Sequence, residues 1–232
     1  MNKGRSSYSV IIPVFNGEKY LDEAISSVLA QTLKPEEIII VDDGSTDSTA
    51  EVVKKYHGSV LYSYQSNKGA AAARNTGLRM AKCDFISFID ADDIWVKDKN
   101  EKQMKLFNQH PGTEIVLGFL MPVSSKPQKH DINFPAKKSL LLTHLGSALI
   151  HKTVFEKIGN FDEQLALVED TDWFFRVRES GINVWIQNEM VQYYRIHEKN
   201  STRDKNKTNF YILLAYKKSL DRKRKSGIQD TL

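Results

Sequence analysis

The sequence predicts an α/β fold, in which helices flank a mixed, mostly parallel central sheet. From residue 9 to about residue 118, short runs rich in β-branched residues alternate with segments of helical periodicity, the pattern of βα units around a parallel sheet. The composition, with 41% hydrophobic and 27% charged residues, is typical of a globular protein. We expect residues 1–205 to form a single domain, followed by a C-terminal helix and basic tail at 206–232.

Five apolar runs in the first half are predicted to be strands, and helices are predicted between them. The strands are Ser9–Ile12, Glu37–Val41, Val60–Tyr64, Phe85–Ile89 and Glu114–Leu117, and the helices lie near 18–31, 47–56, 70–80 and 99–109. The first helix has the clearest pattern, because apolar residues from Tyr20 to Leu29 recur at helical spacing and form one stripe.

The alternation stops at Met121–Lys138, which contains three prolines, several lysines and little periodicity. This stretch is predicted to be a long loop or a flexible lid.

Further elements are predicted after this stretch. They are a strand at Ser147–Ile150, a short helix from Thr153, a stronger helix at Glu169–Glu179, extended pieces near Ile182–Ile186 and Met190–Tyr194, and a helix around Thr208–Leu220.

The cysteine count and the N-terminus suggest a compartment. Cys83 is the single cysteine of the sequence, so an intramolecular disulfide is excluded and a reducing compartment, by default the cytoplasm, is expected. The first apolar stretch is broken by Pro13 and Asn16, which makes it too short for a signal peptide or a membrane span.

Positive charge is concentrated at the C-terminal end. The net charge is only +4, but the segment Lys217–Lys225 holds six basic residues against one acid, Asp221. Such a run is a solvated tail or a contact with an anionic membrane surface, where each charge contributes about 1 kcal/mol. Peripheral contact with the inner face of a membrane through the basic C-terminus is therefore the alternative to a solvated tail, and no nucleic acid is expected as a partner.

Polar residues follow three of the predicted strands. They are Pro13–Asn16, Asp42–Ser45 and Asp90–Asp93. Ligands bind beyond the carboxyl ends of the strands in open α/β sheets, so these segments should line one edge.

The five carboxylates in these segments would repel one another unless a cation or hydrogen-bond donors offset their charge. Oxygen ligands favour Mg or Mn over zinc. A second interpretation of Asp42–Asp47 is a turn and helix cap. For Asp90–Asp93 a mere surface turn is less favoured, because the run Phe85–Ile89 before it carries no charge.

The segments resemble, in order and spacing, the family 2 glycosyltransferases, which have the GT-A fold. The resemblance covers about residues 8–203 and rests on the segments Ser9–Asn16, Ile40–Asp47, Asn67–Gly69, Ala73–Gly77, Asp90–Asp93, Ile158–Glu163 and Glu169–Asp170. One departure is Phe15, which stands where tyrosine is common.

The resemblance implies roles on the donor side. The backbone around Pro13 and Phe15, together with Asp43, resembles the site that recognises the nucleotide base, usually uracil. Arg74 stands where the family often places a basic donor-site residue. Asp90 resembles the acid that reaches the ribose or the metal.

The resemblance also implies the metal ligands and the catalytic residue. Asp92 resembles the metal ligand of the Asp-x-Asp motif, and the implied metal is Mg or Mn. His197 lies in a segment that resembles the family's closing segment, where a histidine can approach the metal or diphosphate, although a solvated loop histidine is an alternative. Asp170 matches the catalytic base, and Glu169 is a supporting contact at the donor and acceptor site or a helix-start acid.

Helical geometry supports Asp170 as the base. Asp170 shares a face with Trp173, Phe174 and Val177, which should turn inward. Asp172 stands four residues before Arg176, a spacing typical of a surface salt bridge within the helix.

The expected function is metal-dependent, inverting transfer of a sugar from a nucleoside diphosphate sugar, with uracil the expected base, to an acceptor hydroxyl. The acceptor is expected to be a saccharide or a lipid-linked saccharide in bacterial surface glycan biosynthesis. The alternatives are a nucleotidyltransferase, which would release pyrophosphate from a nucleoside triphosphate, and a catalytically silent sugar-binding protein.

Overall fold

The computed structural model describes residues 7–124, 144–198, 200 and 204–226. The strands in these ranges are β1 (Tyr8–Val14), β2 (Glu37–Asp42), β3 (Leu61–Tyr64), β4 (Phe85–Phe88), β5 (Ile94–Trp95), β6 (Ile115–Val123), β7 (Ala148–His151) and β8 (Val184–Arg195). The helices are α1 (Leu21–Leu29), α2 (Thr49–Lys54), α3 (Ala70–Met80), α4 (Lys99–Gln109), α5 (Thr153–Ile158), α6 (Glu169–Glu179) and α7 (Lys205–Ser226).

The eight described strands form one sheet in the order β3-β2-β1-β4-β7-β6-β8-β5. Strands β3, β2, β1 and β4 are parallel, as are β6 and β8, whereas β7 and β5 pair antiparallel with their neighbours. The prediction of a mixed, mostly parallel sheet flanked by helices is confirmed.

The central strand β1 is buried along its whole length, because helices cover both faces of a parallel sheet. Ile11 packs into a core with residues of α3, α5 and α6. Its neighbours Val10 and Ile12 pack into a second core with residues of α1, α2 and α4. Gly77 brings α3 close to the sheet, since a Cβ at this position would lie 2.4 Å from Ile11 Cγ2.

The prediction of a loop at Met121–Lys138 is wrong for its first three residues, Met121–Val123, which belong to β6 and pair with Tyr193–Arg195 of β8. The prolines suggested a loop, but β6 pairs with β7 only over Ile115–Leu117, so Pro122 lies where β6 has one described neighbour and a strand proline is tolerated. Residues 125–138 lie outside the described residues.

Two further predictions in this half need correction. The extended pieces near 182–186 and 190–194 are one strand, β8, which continues through register shifts opposite Leu117–Leu120. The short strand β5 was not predicted, because its two residues, Ile94 and Trp95, are too few for a periodic pattern.

Helix α7 is longer than predicted and contains the basic run 217–225. Its inner side packs on the segment before α6, where Ala215 joins Leu165 and Val168 in a small core. Lys218 contacts Asp162, and Arg222 lies 2.9 Å from Asp172. Two of the basic residues therefore anchor the helix, and the interpretation of the whole run as a solvated tail is wrong for them.

None of the helices in the described part of the chain has both the length and the apolar composition that crossing a membrane requires.

Candidate active site

The carboxyl ends of β1 and β2 bring two of the predicted segments together. Asn16 adopts a left-handed conformation with φ of 53°, and its Oδ1 accepts the amide of Thr46 at 2.8 Å. The amide of Asn16 donates in return to Ser45 Oγ at 2.8 Å. The residues after β1 and β2 therefore form one cross-linked surface.

Asp42 and Asp43 shape this surface. Asp42 accepts hydrogen bonds from the Tyr62 hydroxyl at 2.7 Å and from the amide of Ser45 at 2.8 Å. Asp47 accepts the amide of Thr49, at the start of α2, at 3.0 Å. The turn and helix-cap interpretation of Asp42–Asp47 is therefore correct for Asp42 and Asp47.

Asp43 holds the loop that leads into α3. Its carboxylate accepts hydrogen bonds from the amides of Lys68 at 2.9 Å and Gly69 at 2.7 Å, and from Gln65 Nε2 at 2.8 Å. Gly44 makes this approach possible, since its φ is +83° and a Cβ would lie 2.8 Å from the amide nitrogen of Asn67. A carboxylate has about four acceptor positions, and three of those of Asp43 are occupied within the protein, where the residue is only 3% exposed.

The other two predicted nucleotide-site residues differ in exposure. Pro13 is buried within β1, so it offers its backbone and not its ring. Phe15 follows β1 with 53% of its surface exposed. An exposed aromatic ring beside an acceptor carboxylate can bind a planar heterocycle.

Arg74 is buried at the junction of three elements. Its Nη2 lies 2.7 Å from Asp90 Oδ1, after β4, and its Nη1 contacts Glu169 Oε1, at the start of α6. Only 7% of Arg74 is exposed, and its Nε has no hydrogen-bond partner among the described residues. The guanidinium thus contacts two protein carboxylates, which the prediction of a basic donor-site residue did not include.

The three charges shift one another's pKa values. Burial disfavours the charged Arg74, but attraction to Asp90 and Glu169 outweighs it and raises the pKa of the guanidinium. Burial also opposes ionisation of Asp90, yet Arg74 and His144 together lower the pKa of that carboxyl. The pKa of Glu169 is raised, because burial and the charge of Asp170 exceed the attraction to Arg74.

Asp92 and His197, which were predicted as metal ligands, are in contact. His197 Nε2 lies 2.8 Å from Asp92 Oδ2. Tyr20 packs against the imidazole with 4.9 Å between ring centroids, and the Arg195 guanidinium lies 4.5 Å from the Tyr20 ring centroid. Burial and repulsion by Asp90 raise the pKa of Asp92, although His197 partly offsets this.

Asp93 is a buried structural acid. It accepts the amide of Arg195 at 2.9 Å and also contacts Gln192 Nε2. Burial and the neighbouring charges of Asp92 and Asp90 raise its pKa well above the ordinary value. Asp93 thereby fixes β8 against the loop that carries Asp90 and Asp92.

His144 is a site residue that the sequence did not single out. Its Nε2 lies 3.6 Å from Asp90 Oδ2, and its Nδ1 accepts the amide of Gly146 at 3.2 Å. A neutral ring whose Nδ1 accepts carries its proton on Nε2, so His144 presents a donor towards Asp90. The available signal was a histidine two residues before Gly146, the glycine that precedes the predicted strand Ser147–Ile150.

The donor set fits a divalent cation. Asp90, Asp93 and His144 can each place one ligand atom within 4.8 Å of the others, whereas the prediction named Asp92 and His197. The Asp93 carboxylate is already engaged, and Asp90 and Asp92 keep 29% and 28% of their side chains exposed. Carboxylate oxygens suit Mg or Mn, and a cation would relieve the repulsion by Asp90 that, together with burial, raises the pKa of Asp92.

Asp170 and Asp172 have different environments in α6. Asp170 is partly buried, and its Oδ1 accepts the amide of Thr171 at 2.7 Å. Asp172 is only 1% exposed and lies between Arg176 at 3.0 Å and Arg222 at 2.9 Å. The predicted pair with Arg176 is confirmed, but its placement on the surface is wrong, because α7 covers it.

The inward face of α6 agrees with helical geometry. Trp173, Phe174 and Val177 are all buried. Asp170 lies on the same face one turn earlier, close enough for its charge to act on Arg74 and Glu169. The structure therefore places Asp170 beside the buried ion pairs.

Known proteins show the same sequence pattern and fold. The family described as glycosyl transferase family 2 matches residues 9–161. An uncharacterized glycosyltransferase of Rickettsia typhi is 35% identical over 84% of this chain and 65% of its own length. The Escherichia coli UDP-Glc:alpha-D-GlcNAc-diphosphoundecaprenol beta-1,3-glucosyltransferase WfaP is 31% identical over 82% of this chain and 77% of its own.

Two solved structures have a similar fold. Staphylococcus aureus TarS 1–349, in complex with UDP-GlcNAc, gives a TM-score of 0.72 with 22% identity over 90% of this chain and 65% of that one. The mannosyltransferase PcManGT from Pyrobaculum calidifontis, in complex with GDP-Man and Mn2+, gives a TM-score of 0.70 with 18% identity. The match covers 94% of this chain and 65% of the PcManGT chain.

The chain thus spans just under two thirds of the length of the Rickettsia relative and of these two solved chains. The GT-A fold expected from the resemblance is shown by these structures. Since the family match covers most of the chain and includes the polar segments after β1, β2 and β4, the chain belongs to glycosyl transferase family 2.

Proposed function

We propose that this chain is an inverting, metal-dependent glycosyltransferase that moves a sugar from a UDP-sugar to a hydroxyl of a saccharide or lipid-linked saccharide. One observation carries the proposal. Arg74 joins Asp90, on the side of the nucleotide and metal residues, to Glu169, which adjoins Asp170. The acids for donor binding and the base are thereby held at one end of the sheet.

The nucleotide would bind across the ends of β1 and β2. Phe15 offers its exposed ring for stacking, and the remaining acceptor position of Asp43 suits a ring N–H such as that of uracil. The UDP-GlcNAc in the TarS complex and the UDP-Glc in the name of WfaP support a uridine donor.

The diphosphate would lie near Asp90 and Asp92. These acids and His197 would hold Mg or Mn, and His144 would present its Nε2 proton beside them. When bound, the metal supplies positive charge to the leaving diphosphate. The Mn2+ in the PcManGT complex supports a metal at such a site.

Asp170 would act as the base. It would accept the proton of the acceptor hydroxyl as the oxygen attacks the anomeric carbon opposite the departing diphosphate. The new glycosidic bond forms as the bond to the diphosphate breaks, so one displacement inverts the anomeric configuration. Asp170 lies at the N-terminal end of α6, next to Glu169.

Three further parts of the proposal concern the setting. The acceptor in the WfaP name is a diphosphoundecaprenol-linked sugar, which supports a lipid-linked acceptor and a role in bacterial surface glycan biosynthesis. Such an acceptor is consistent with a cytoplasmic chain at the inner face of a membrane.

The reaction products test the proposal. Purified chain would be incubated with a panel of nucleoside diphosphate sugars, with and without acceptor saccharides, in Mn2+, Mg2+ or chelator. We expect nucleoside diphosphate release that needs metal and acceptor, and a product with inverted anomeric configuration by NMR. Release of pyrophosphate from a nucleoside triphosphate would identify a nucleotidyltransferase, and binding without turnover would identify a silent sugar-binding protein.

A further inference from the structure

Helix α7 exposes apolar residues on the side away from the protein body. Leu213 is 68% exposed, Phe210 is 62% exposed and Tyr216 is 54% exposed. Ala215 and Ser219 on the opposite side are buried. We call Phe210, Leu213, Tyr216, Lys217 and Arg224 the outer face of α7.

The apolar character of the outer face needs a physical explanation. A surface helix normally presents polar residues to solvent, and a helix that is apolar on all sides is normally covered. Neighbouring exposed apolar side chains mark an interaction surface. Phe210 and Leu213 are three residues apart and so are neighbours on the helix surface. A partner with an apolar layer would cover them.

Charge identifies the class of partner. Helix α7 carries Lys205, Lys207, Lys217, Lys218, Arg222, Lys223, Arg224 and Lys225 against the single acid Asp221. The anchoring residues Lys218 and Arg222 turn inward to acids, whereas Lys217 and Arg224 lie on the outer face and are exposed. The outer face therefore combines apolar and cationic groups, and an anionic lipid interface offers partners for both kinds.

Two other occupants fit less well. In a two-fold dimer the same patch meets itself, so Lys217 and Arg224 would face like charges. A nucleic acid offers phosphates but no apolar layer for Leu213 and Phe210. Lipid headgroups and acyl chains satisfy both kinds of side chain at once.

We propose that the outer face of α7 binds an anionic membrane surface, with Phe210, Leu213 and Tyr216 entering the interface and Lys217 and Arg224 contacting lipid phosphates. Each basic residue near such a surface adds attraction that salt weakens. The proposal now rests on a solvent-facing apolar surface as well as on the charge of the C-terminal segment.

Helix α7 packs next to the start of α6, which carries the proposed base Asp170. Val168 packs against α7 and directly precedes Glu169 and Asp170. A chain bound through the outer face would hold the start of α6 within one helix layer of the lipid. This consequence alone rests on the proposed function, since it presents Asp170 to acceptors carried in the membrane.

Vesicle sedimentation tests the surface without any sugar transfer. The full chain would be mixed with phosphatidylcholine vesicles containing about a third phosphatidylglycerol, and with pure phosphatidylcholine vesicles. We expect binding to the anionic vesicles that falls with added salt. We expect Phe210→Ser/Leu213→Ser and Lys217→Glu/Arg224→Glu each to weaken it at least about tenfold.

Matched variants control for lost apolar surface and lost charge. Leu61→Ser changes an exposed leucine of β3, and Lys54→Glu/Lys34→Glu makes the same change of net charge away from α7. Both should bind vesicles like the wild type. Far-UV circular dichroism and the thermal midpoint, which should be unchanged, check that all variants are folded.

Several results would overturn the proposal. The proposal would be overturned if the wild-type chain did not sediment with anionic vesicles. It would also be overturned if the outer-face variants bound the vesicles as well as the controls. A concentration-dependent dimer that Phe210→Ser/Leu213→Ser abolishes, without vesicle binding, would assign the face to a second copy. Because these readouts need no donor or acceptor, failure here is distinguishable from failure of the proposed transferase activity.

Discussion

Arg74 is the residue whose charge environment constrains the site most. It is buried between Asp90 and Glu169, so its removal would leave two carboxylates close together without their counter-ion. We predict that Arg74→Met lowers the free energy of unfolding by about 3–5 kcal/mol, the usual loss when one partner of a buried ion pair is removed. Urea unfolding would measure it.

The double variant separates the charge effect from lost packing. Arg74→Met/Glu169→Gln removes one of the two unpaired charges and should recover part of the loss. A loss below about 1 kcal/mol in the single variant, within the range of ordinary exposed pairs, would contradict the buried-charge interpretation.

Two neighbouring acids of α6 provide a contrast between catalysis and stability. We predict that Asp170→Asn leaves UDP affinity nearly unchanged but lowers sugar transfer about 10²- to 10⁴-fold, the range for loss of a general base. Asp172→Asn should instead lower stability, because Asp172 is buried and pairs with both Arg176 and Arg222.

Steady-state kinetics, UDP binding and urea unfolding on both variants would check this. Near wild-type transfer by Asp170→Asn, or a larger loss of transfer in folded Asp172→Asn, would show that the base is wrongly assigned.

At the residue scale, the sequence indicated which residues lie at the site better than it indicated which side chains contact one another. Helical spacing was enough for the pair between Asp172 and Arg176, because both lie on one element. The contact of Arg74 with Glu169 joins residues 95 positions apart, and the contact of His144 with Asp90 depends on how β7 lies beside β4. Such contacts depend on tertiary packing, which local patterns do not contain.

Helix α7 is held to α6 by an ion pair that acid should weaken. Arg222 Nε donates to Glu179 Oε2 at 2.6 Å. Burial opposes ionisation of Glu179, but its hydrogen bonds to Arg222 and Ser219 outweigh burial and lower its pKa from 4.5. A carboxyl group whose pKa is lower in the folded state than in the unfolded state stabilises the folded state at pH values above the unfolded pKa. This stabilisation is lost as the pH falls through the folded-state pKa.

We therefore predict that wild type is more stable than Glu179→Gln near pH 6 and that their difference shrinks below pH 4.5. Urea midpoints from pH 6 to pH 3 would measure the difference. Glu51→Gln, which alters an exposed pair with Lys54, is the control and should show little difference at any pH. A constant difference for Glu179→Gln across this range would rule out the ion pair as its cause.

Most strands and helices of the first half could be predicted because apolar runs alternate with segments of helical periodicity along the sequence. The local pattern does not indicate a strand at β5, which is two residues long, or at Pro122, where a proline lies within β6. In both places pairing with β8 determines the structure, and that pairing is formed by residues about 70 to 100 positions away.

At the scale of the whole molecule, ligand binding should raise the thermal stability of the folded chain. A ligand that binds only the folded chain stabilises it, by about 2.7 kcal/mol at a concentration 100 times its Kd. We predict that UDP with Mn2+ raises the thermal midpoint more than either alone, because Asp90 and Asp92 repel a diphosphate unless a cation lies between them. Differential scanning fluorimetry would measure the midpoints.

Asp92→Asn should lose the extra rise from Mn2+ while keeping the midpoint of the free protein. Glu101→Gln, on α4, is a matched control away from the site. An equal rise with UDP in chelator and in Mn2+ would contradict a metal at this position.

The junction at Arg74 has a consequence for how new specificities could arise in this fold. The proposed nucleotide residues and Asp92 all precede residue 96, whereas Asp170 and the lipid-facing helix follow residue 144. Arg74 bridges the two parts through one carboxylate on each. An exchange of the later part between relatives, with Glu169 and His197 retained, would therefore give a chimera with the same donor and a new acceptor.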